Sequence, residues 1–260
     1  MGNKLEKDKL ERMGMSKIMR CCEKEATIIE YNSAIDIVVM FKETGELKNT
    51  TYGCFKNGSI KSHFSPTVYE VGIVGLEKTK NGNDVFYNSY TIWHGMIERC
   101  YSKKYKDKHL TYKNVTCCDE WLCYKNFKEW YNDNHYEVEG QRMALDKDIL
   151  VKGNKIYSPE TCVFVPQRIN VLFTKCNRTR GIYPIGVNYF KIENKYRAQC
   201  NCDKKGNITI GLFNNTDDAF YKGYKPFKEK YIKEIADEYK DKIPNKLFNA
   251  MYNWKVEITD

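Results

Sequence analysis

The chain has 260 residues, a formal net charge of +9 and a pI of about 8.8; 42% of its residues are hydrophobic and 14% aromatic. That is enough apolar material for packed cores, which excludes an intrinsically disordered chain, and the length suits two or three small domains. The lysine excess points to a polyanionic partner, nucleic acid or an anionic surface, although an AT-rich genome also yields a Lys-, Asn-, Ile- and Tyr-rich composition.

No stretch approaches the roughly 18 apolar residues of a membrane span. The opening "MGNKLEKDKLERMGMSK" has no apolar signal core, and Lys7 stands where a myristoylation motif wants Ser or Thr. A soluble, intracellular protein without membrane attachment is the expectation. The 11 cysteines include Cys21-Cys22, Cys117-Cys118 and Cys200-x-Cys202, but no two C-x-x-C knuckles. Reduced thiols are expected, with Cys100, Cys118 and Cys162 as small core residues rather than zinc ligands.

Residues 1–80 form the first block, read as a small β-rich module. "ATIIEYNSAIDIVVMF" (26–41) and "TYGCFKNGSIKSHFSPTVYEVGIVG" (51–75) supply apolar strand-like runs, with Gly45 and "KNGS" as turns. The polar "EKTKNGNDVF" (77–86) reads as a linker. In the second block, 87–176, Trp93, Met96, Ile97, Cys100 and Tyr101 fall at helical spacing. Trp121, Tyr124, Phe127 and Trp130 or Tyr131 repeat the pattern, with Asp119 as a plausible cap. Next comes "ALDKDILVKGNKIYSPETCVFVP" (144–166), a strand-like run, a Gly-Asn turn and a Ser-Pro-Glu sequence that suggests a helix start.

The third block, 180–260, reads as strand, Glu-Asn turn, strand, "DKKGN" turn, strand, then a helix capped by Thr216. A period of two on "KYRAQCN" (195–201) sends Tyr196, Ala198 and Cys200 toward that helix and leaves Lys195, Arg197, Gln199 and Asn201 facing out, with Asn188 and Lys191 joining them. Pro226 predicts a kink or split in the helix. A last helix starts at Pro244 and buries Leu247, Phe248, Met251 and Trp254.

This third block resembles the APETALA2-type DNA-binding domain, on Gly186-Val187, "KYRAQC", "IGLF" (210–213) and the acidic helix start with Ala219. The resemblance implies a three-stranded antiparallel sheet backed by a helix and laid in the major groove. Arg and Gln side chains suit base edges there, and lysines suit phosphates.

The middle block resembles the HNH homing-type endonucleases of phages, on "W..M..RCY" (93–101), "CCDEW" (117–121) and "LDKD…GNKIYSPETC" (145–162). The first block is similar to an N-terminal module that precedes such domains. Together these imply an α+β chain: a small N-terminal β module, an HNH (ββα-metal-like) core and a C-terminal sheet plus helix. The expected protein is a phage or prophage DNA-binding protein in a bacterial host's cytoplasm, with double-stranded DNA as partner. It either hydrolyses phosphodiesters or occupies DNA as a regulator or anti-defence protein, with a host or phage protein as the alternative partner.

An HNH site uses one divalent metal, held by a strand aspartate and a helix Asn or His, and a histidine base. Asp146 matches the metal aspartate. The histidine position holds Lys147 and the helix-Asn position holds Thr161. Of four histidines, His135 is the candidate displaced base; His63, His94 and His109 read as surface or phosphate-contacting residues. If the protein is active, Asp146 and Asp148, two apart on one strand face, would hold Mg²⁺ with Asn154 or Glu160. The competing reading pairs these carboxylates with Lys147, Lys152 or Arg168. Phosphate contacts are expected from Lys103, Lys104, Lys106 and Lys108 in "KKYKDKHL", and from Lys175, Arg178 and Arg180 in "TKCNRTRG".

Overall fold

The computed structural model describes residues 2–81, 88–174, 182–203 and 206–259 of a mixed α+β chain. They divide into two compact units, 1–131 and 132–260. The sequence suggested three blocks, and this boundary falls inside the stretch 87–176.

The first unit opens with helix α1 (Gly2–Arg12), followed by β1 (Ser16–Met19), β2 (Lys24–Ser33), β3 (Asp36–Phe41) and β4 (Leu47–Thr50). The four strands form an antiparallel meander in the order β1-β2-β3-β4. Ala26, Ile28, Ile37, Val39 and Phe41 are fully buried on it. Arg12 of α1 lies over the Tyr52 ring, 4.2 Å from its centroid, and also donates to the Tyr31 hydroxyl. That contact ties a largely polar helix to the sheet.

"TYGCFKNG" does not extend the sheet. Its residues Tyr52–Asn57 form helix α2, because Thr51 caps the first turn by accepting from Cys54 N and Gly58 closes the last with φ 65°. The buried Glu46 carboxylate accepts from Ser62 Oγ and from the His63 backbone N–H, and bonds His63 Nδ1. His63 is exposed, as expected, and is tied to the fold through this carboxylate.

Helix α3 (Asn88–Tyr101) buries Trp93, Met96, Ile97 and Cys100, the face its spacing predicted. Ser102 caps α4 (Lys103–Lys108), and β5 (Thr116–Cys117) follows. Asp119 opens a 3₁₀ turn (Asp119–Leu122) whose cap position is Cys118, so it does not cap α5 (Tyr124–Asn134). Trp121, Tyr124 and Phe127 are fully buried, and Trp93 Nε1 donates to Trp121 O at 2.7 Å.

In the second unit, β6 (Met143–Asp146) pairs antiparallel with β8 (Val163–Pro166); β7 (Ile156–Tyr157) lies between them in sequence, and α6 (Gln167–Leu172) follows. The three-stranded antiparallel sheet has the order β11-β10-β9, from β9 (Val187–Phe190), β10 (Lys195–Asn201) and β11 (Asn207–Phe213). Val163, Val165 and Ile169 share one apolar cluster with Ala198, Cys200, Phe220 and Ile235, so one core supports both the β6–β8 ladder and this sheet.

The helix behind the sheet starts at α7 (Thr216–Asp218), and its cap is Asn215, whose Oδ1 accepts from Asp218 N at 2.7 Å, rather than Thr216. The backbone then widens into π-helical turns over Ala219–Tyr224 before α8 (Lys225–Glu238). Pro226 sits in the first turn of α8, where its missing N–H costs least, so the expected split falls at the π-to-α junction. A Cβ on Gly223 would come within 2.8 Å of Ala198 Cβ, and one on Gly186 (φ +73°) within 2.0 Å of the Tyr224 ring. Gly186 leaves room for the Tyr224 ring, and Gly223 for Ala198 and Phe213. The last helix, α9 (Asn245–Tyr252), has Pro244 at its cap position and buries Leu247 and Met251.

Candidate nucleic-acid interface

Strand β6 ends at Asp146 because the side chain folds back on its own backbone. Asp146 Oδ1 accepts from Asp148 N at 2.9 Å and from Ile149 N at 2.8 Å, an Asx turn that competes with the strand ladder. Asp148 therefore lies in the bend beyond the strand, and the expected shared strand face of the two carboxylates is not formed. Burial, and then the charge of Asp148, push the Asp146 carboxyl up to about 6, against its two backbone hydrogen bonds and Lys147.

Lys147 is 8% exposed. Its Nζ pairs with Asp148 Oδ2 at 3.2 Å and lies 5.8 Å from the centre of the Tyr157 ring. The pairing of carboxylate with lysine is thus realised at Asp148, while Lys152 donates to Lys255 O and Arg168 pairs with Asp203 and Glu238.

Asn154 spends its whole amide on the loop. Its Nδ2 donates to Lys147 O and Ile156 O, each at 2.7 Å, and its Oδ1 accepts from Ile156 N. Thr161 Oγ1 donates to Ile156 O at 3.0 Å, and the exposed Glu160 is held to the Ser158 hydroxyl, which keeps its carboxyl below the usual range. "SPETC" does not open a helix: Cys162 N returns to Ser158 O at 3.0 Å in a single turn, and the apolar, β-branched Val163–Val165 then pairs with β6.

The ladder register also separates His135 from Asp146. Asp146 stands opposite Val163 on one face, and Leu145 opposite Phe164 on the other. The His135 ring packs on the Phe164 ring at 5.0 Å, so it belongs to the opposite face from Asp146; burial also lowers its pKa. Asp146, Lys147 and His135 are therefore not brought together. The residues present do not fit an HNH metal site: Asn154 is consumed by the loop, Asp148 faces Lys147, and Thr161 replaces the helix amide. Among the described residues no group of three His, Cys, Asp or Glu side chains is placed to hold a metal.

Cys162 and Cys200 have thiols pushed up to about 12 by burial, and both lie in apolar surroundings. Cys100 is fully buried and Cys118 half-buried.

The sheet presents a different surface. Ala198 and Cys200 are buried toward the helix, as the period of two predicts. On the open side Arg197 pairs across β9 with Asn188, to whose Oδ1 its Nε donates at 3.2 Å, and across β11 with Leu212. Its guanidinium lies over the Phe190 ring, 4.9 Å from the centroid. Lys195, Gln199 and Asn201 follow the same alternation, past a register shift between Ala198 and Gln199 that sets Gln199 opposite Thr209. Lys191 lies in the exposed turn after β9 rather than in the strand. Among the described residues, the side chains of Lys191, Lys195, Gln199 and Asn201 make no hydrogen bond or ion pair. Glu193 is the sole acid between Val187 and Asn201.

Phe190 and Leu212 were absent from the sequence-based set for this face. The period that placed Asn188 also placed Phe190, but the bulge hid the side to which Leu212 points.

Lys103, Lys104 and Lys108 are exposed on α4, a short helix capped by Ser102. Lys106 lies over the Tyr101 ring at 6.0 Å, and His109 stacks on Tyr105 at 4.3 Å. His94 rests between Tyr69 and Tyr90. Lys175, Arg178 and Arg180 lie outside the described residues. No described helix is long and apolar enough to cross a membrane.

Compared with protein-family models, with curated proteins and with solved structures, the chain matches none.

Proposed function

We propose that this chain is a double-stranded-DNA-binding protein of phage or prophage type, in which an HNH-like loop serves as scaffold and the open face of the three-stranded sheet is the reading surface. The observation that carries the proposal is the row Lys195, Arg197, Gln199 and Asn201 on β10, with Asn188 beside it on β9. Arg and Gln offer the bidentate donor and acceptor geometry that guanine and adenine edges accept in the major groove, whose width admits a small sheet. The unpaired lysines and the +9 charge supply the sequence-independent phosphate term, and α4 adds three exposed lysines to it.

The reading favours binding without hydrolysis. Lys147 stands where an HNH base stands, the Asn154 amide is fully used within the loop, and His135 is on the other face of the ladder. Asp146 Oδ1 is taken by two backbone N–H groups, and the Asp148 carboxylate is already neutralised by Lys147 beside it.

Supercoiled plasmid incubated with Mg²⁺ or Mn²⁺, beside a gel shift on the same DNA, tests this directly. The expected result is retarded, intact plasmid, with retardation that weakens steeply as salt rises. Metal-dependent nicking abolished by Asp146→Ala would replace the proposal with an endonuclease. Neither nicking nor retardation would remove DNA as the partner and turn the search to a host or phage protein.

A further inference from the structure

We infer that the apolar residues around Arg197 read thymine methyl groups, with Ile192 at the tip of the β9–β10 hairpin as the leading contact. The inference rests on the DNA-binding reading above and adds a base preference to it.

Ile192 is 86% exposed at the apex of the Lys191–Asn194 turn, a position where a β-branched apolar side chain gains nothing from the fold. The tip is nevertheless held in place. Asn194 N donates to Lys191 O at 3.3 Å, Asn194 takes the left-handed conformation (φ 52°), and the Tyr189 hydroxyl donates to Asn194 Oδ1. A rigid hairpin therefore presents an isoleucine between Lys191 and Lys195.

The apolar character continues onto the sheet. Phe190 and Leu212 flank Arg197 from the two neighbouring strands, and neither belongs to the apolar cluster behind the sheet. The Arg197 guanidinium lies over the Phe190 ring, and Leu212 occupies the paired position on β11. A surface meant only for phosphates would have no use for these three residues. In the major groove a methyl group is carried by thymine alone among the four unmodified bases, and guanine offers the acceptor pair that an arginine fork fits. A fork bordered by apolar side chains is complementary to guanine next to thymine. The cationic border of Lys191 and Lys195 matches the phosphates on either side.

The test uses the full chain and two duplexes of identical sequence rich in TG steps, one with thymine and one with deoxyuridine throughout, which differ only in the methyl groups. Fluorescence anisotropy at fixed salt should show the deoxyuridine duplex binding about fourfold more weakly for each methyl read. Ile192→Ala is solvent-exposed and leaves the core intact; it should lower affinity for the thymine duplex and bring the ratio of the two affinities toward one. Equal affinity of the wild type for both duplexes would overturn the inference while leaving DNA binding in place. A ratio unchanged in Ile192→Ala would remove Ile192 from the contact and overturn the inference as stated. Binding to neither duplex would overturn the DNA reading itself, and this inference with it.

Discussion

The loop around Asp146 and the open face of the β9–β10–β11 sheet are built from the same kinds of side chain, and they spend them in opposite ways. In the loop, Asp146 holds Asp148 N and Ile149 N, Asn154 holds Lys147 O and both polar groups of Ile156, Thr161 holds Ile156 O, and Lys147 holds Asp148. On the sheet, Lys195, Gln199 and Asn201 hold nothing among the described residues, and the single bond from Arg197 to Asn188 leaves most of the guanidinium donors open. A polar group already paired inside the fold contributes stability, and breaking its bonds to serve a ligand costs that stability back. A polar group left in water on a rigid strand is available for recognition at little cost. In the loop the polar side chains are committed within the fold, whereas the outward row on β10, which the sequence already offers for recognition, keeps most of its polar groups free.

Four perturbations break or sharpen this contrast. The largest effect is expected at the support of the sheet. Gly186→Ala places a methyl on the Tyr224 ring at a positive φ, and the sum of backbone strain and overlap should cost at least about 3 kcal/mol in urea unfolding. A loss under about 1 kcal/mol would mean that the helix is not packed on the sheet as described.

Arg197→Ala comes next: DNA affinity should fall by about one to two orders of magnitude, with the unfolding midpoint nearly unchanged. Asn154→Ala should do the reverse. It removes three hydrogen bonds that close the loop and should cost about 1–2 kcal/mol of stability, while affinity measured well below the unfolding transition stays at the wild-type value. If Asn154→Ala instead abolished binding in a protein still folded by circular dichroism, the loop would belong to the interface.

The smallest of the four concerns pH. The Asp146 carboxyl sits at about 6 in the folded chain and near the ordinary aspartate value when unfolded. The folded state then binds the proton more tightly, so this group makes stability rise as pH falls from about 6 toward 4 and penalises folding above 6. Solvent still reaches the half-buried side chain, which keeps the contribution to about 1 kcal/mol. Asp146→Asn preserves the Oδ1 acceptor and should flatten this part of the pH profile; a profile identical to wild type would show that Asp146 does not titrate there.

Much of the fold was legible where a period governs. The buried faces of α3 and α5, the three strands of the β9–β10–β11 sheet and the inward set Ala198 and Cys200 all follow from apolar spacing and turn residues, because burial of those side chains is what holds each element. What failed was local polar chemistry. Asp148 was assigned to a strand face because spacing says nothing about a side chain that captures its own backbone, as Asp146 does. "SPETC" suggested a helix because Ser-Pro-Glu suits a first turn, yet the apolar, β-branched run after it found a strand partner. The cap moved from Thr216 to Asn215 for a similar reason, since both residue types cap well and only the backbone decides between them. The bulge at Ala198 and Gln199 and the π-helical turns at Ala219–Tyr224 leave no sequence signature, although Pro226 marked the junction. Of the candidate site, the outward row on β10 was readable from alternation. The separation of His135 from Asp146 was not, because it depends on the pairing of β6 with β8.

The most direct test of the contrast is a titration of the isotopically labelled chain with a mixed-sequence DNA duplex, following every backbone amide by NMR. The account predicts that the shifts concentrate on Asn188–Asn201 and Asn207–Phe213, while Asp146–Thr161 stay in place. Shifts centred on Asp146, Lys147 and Asn154, with the sheet unmoved, would contradict it.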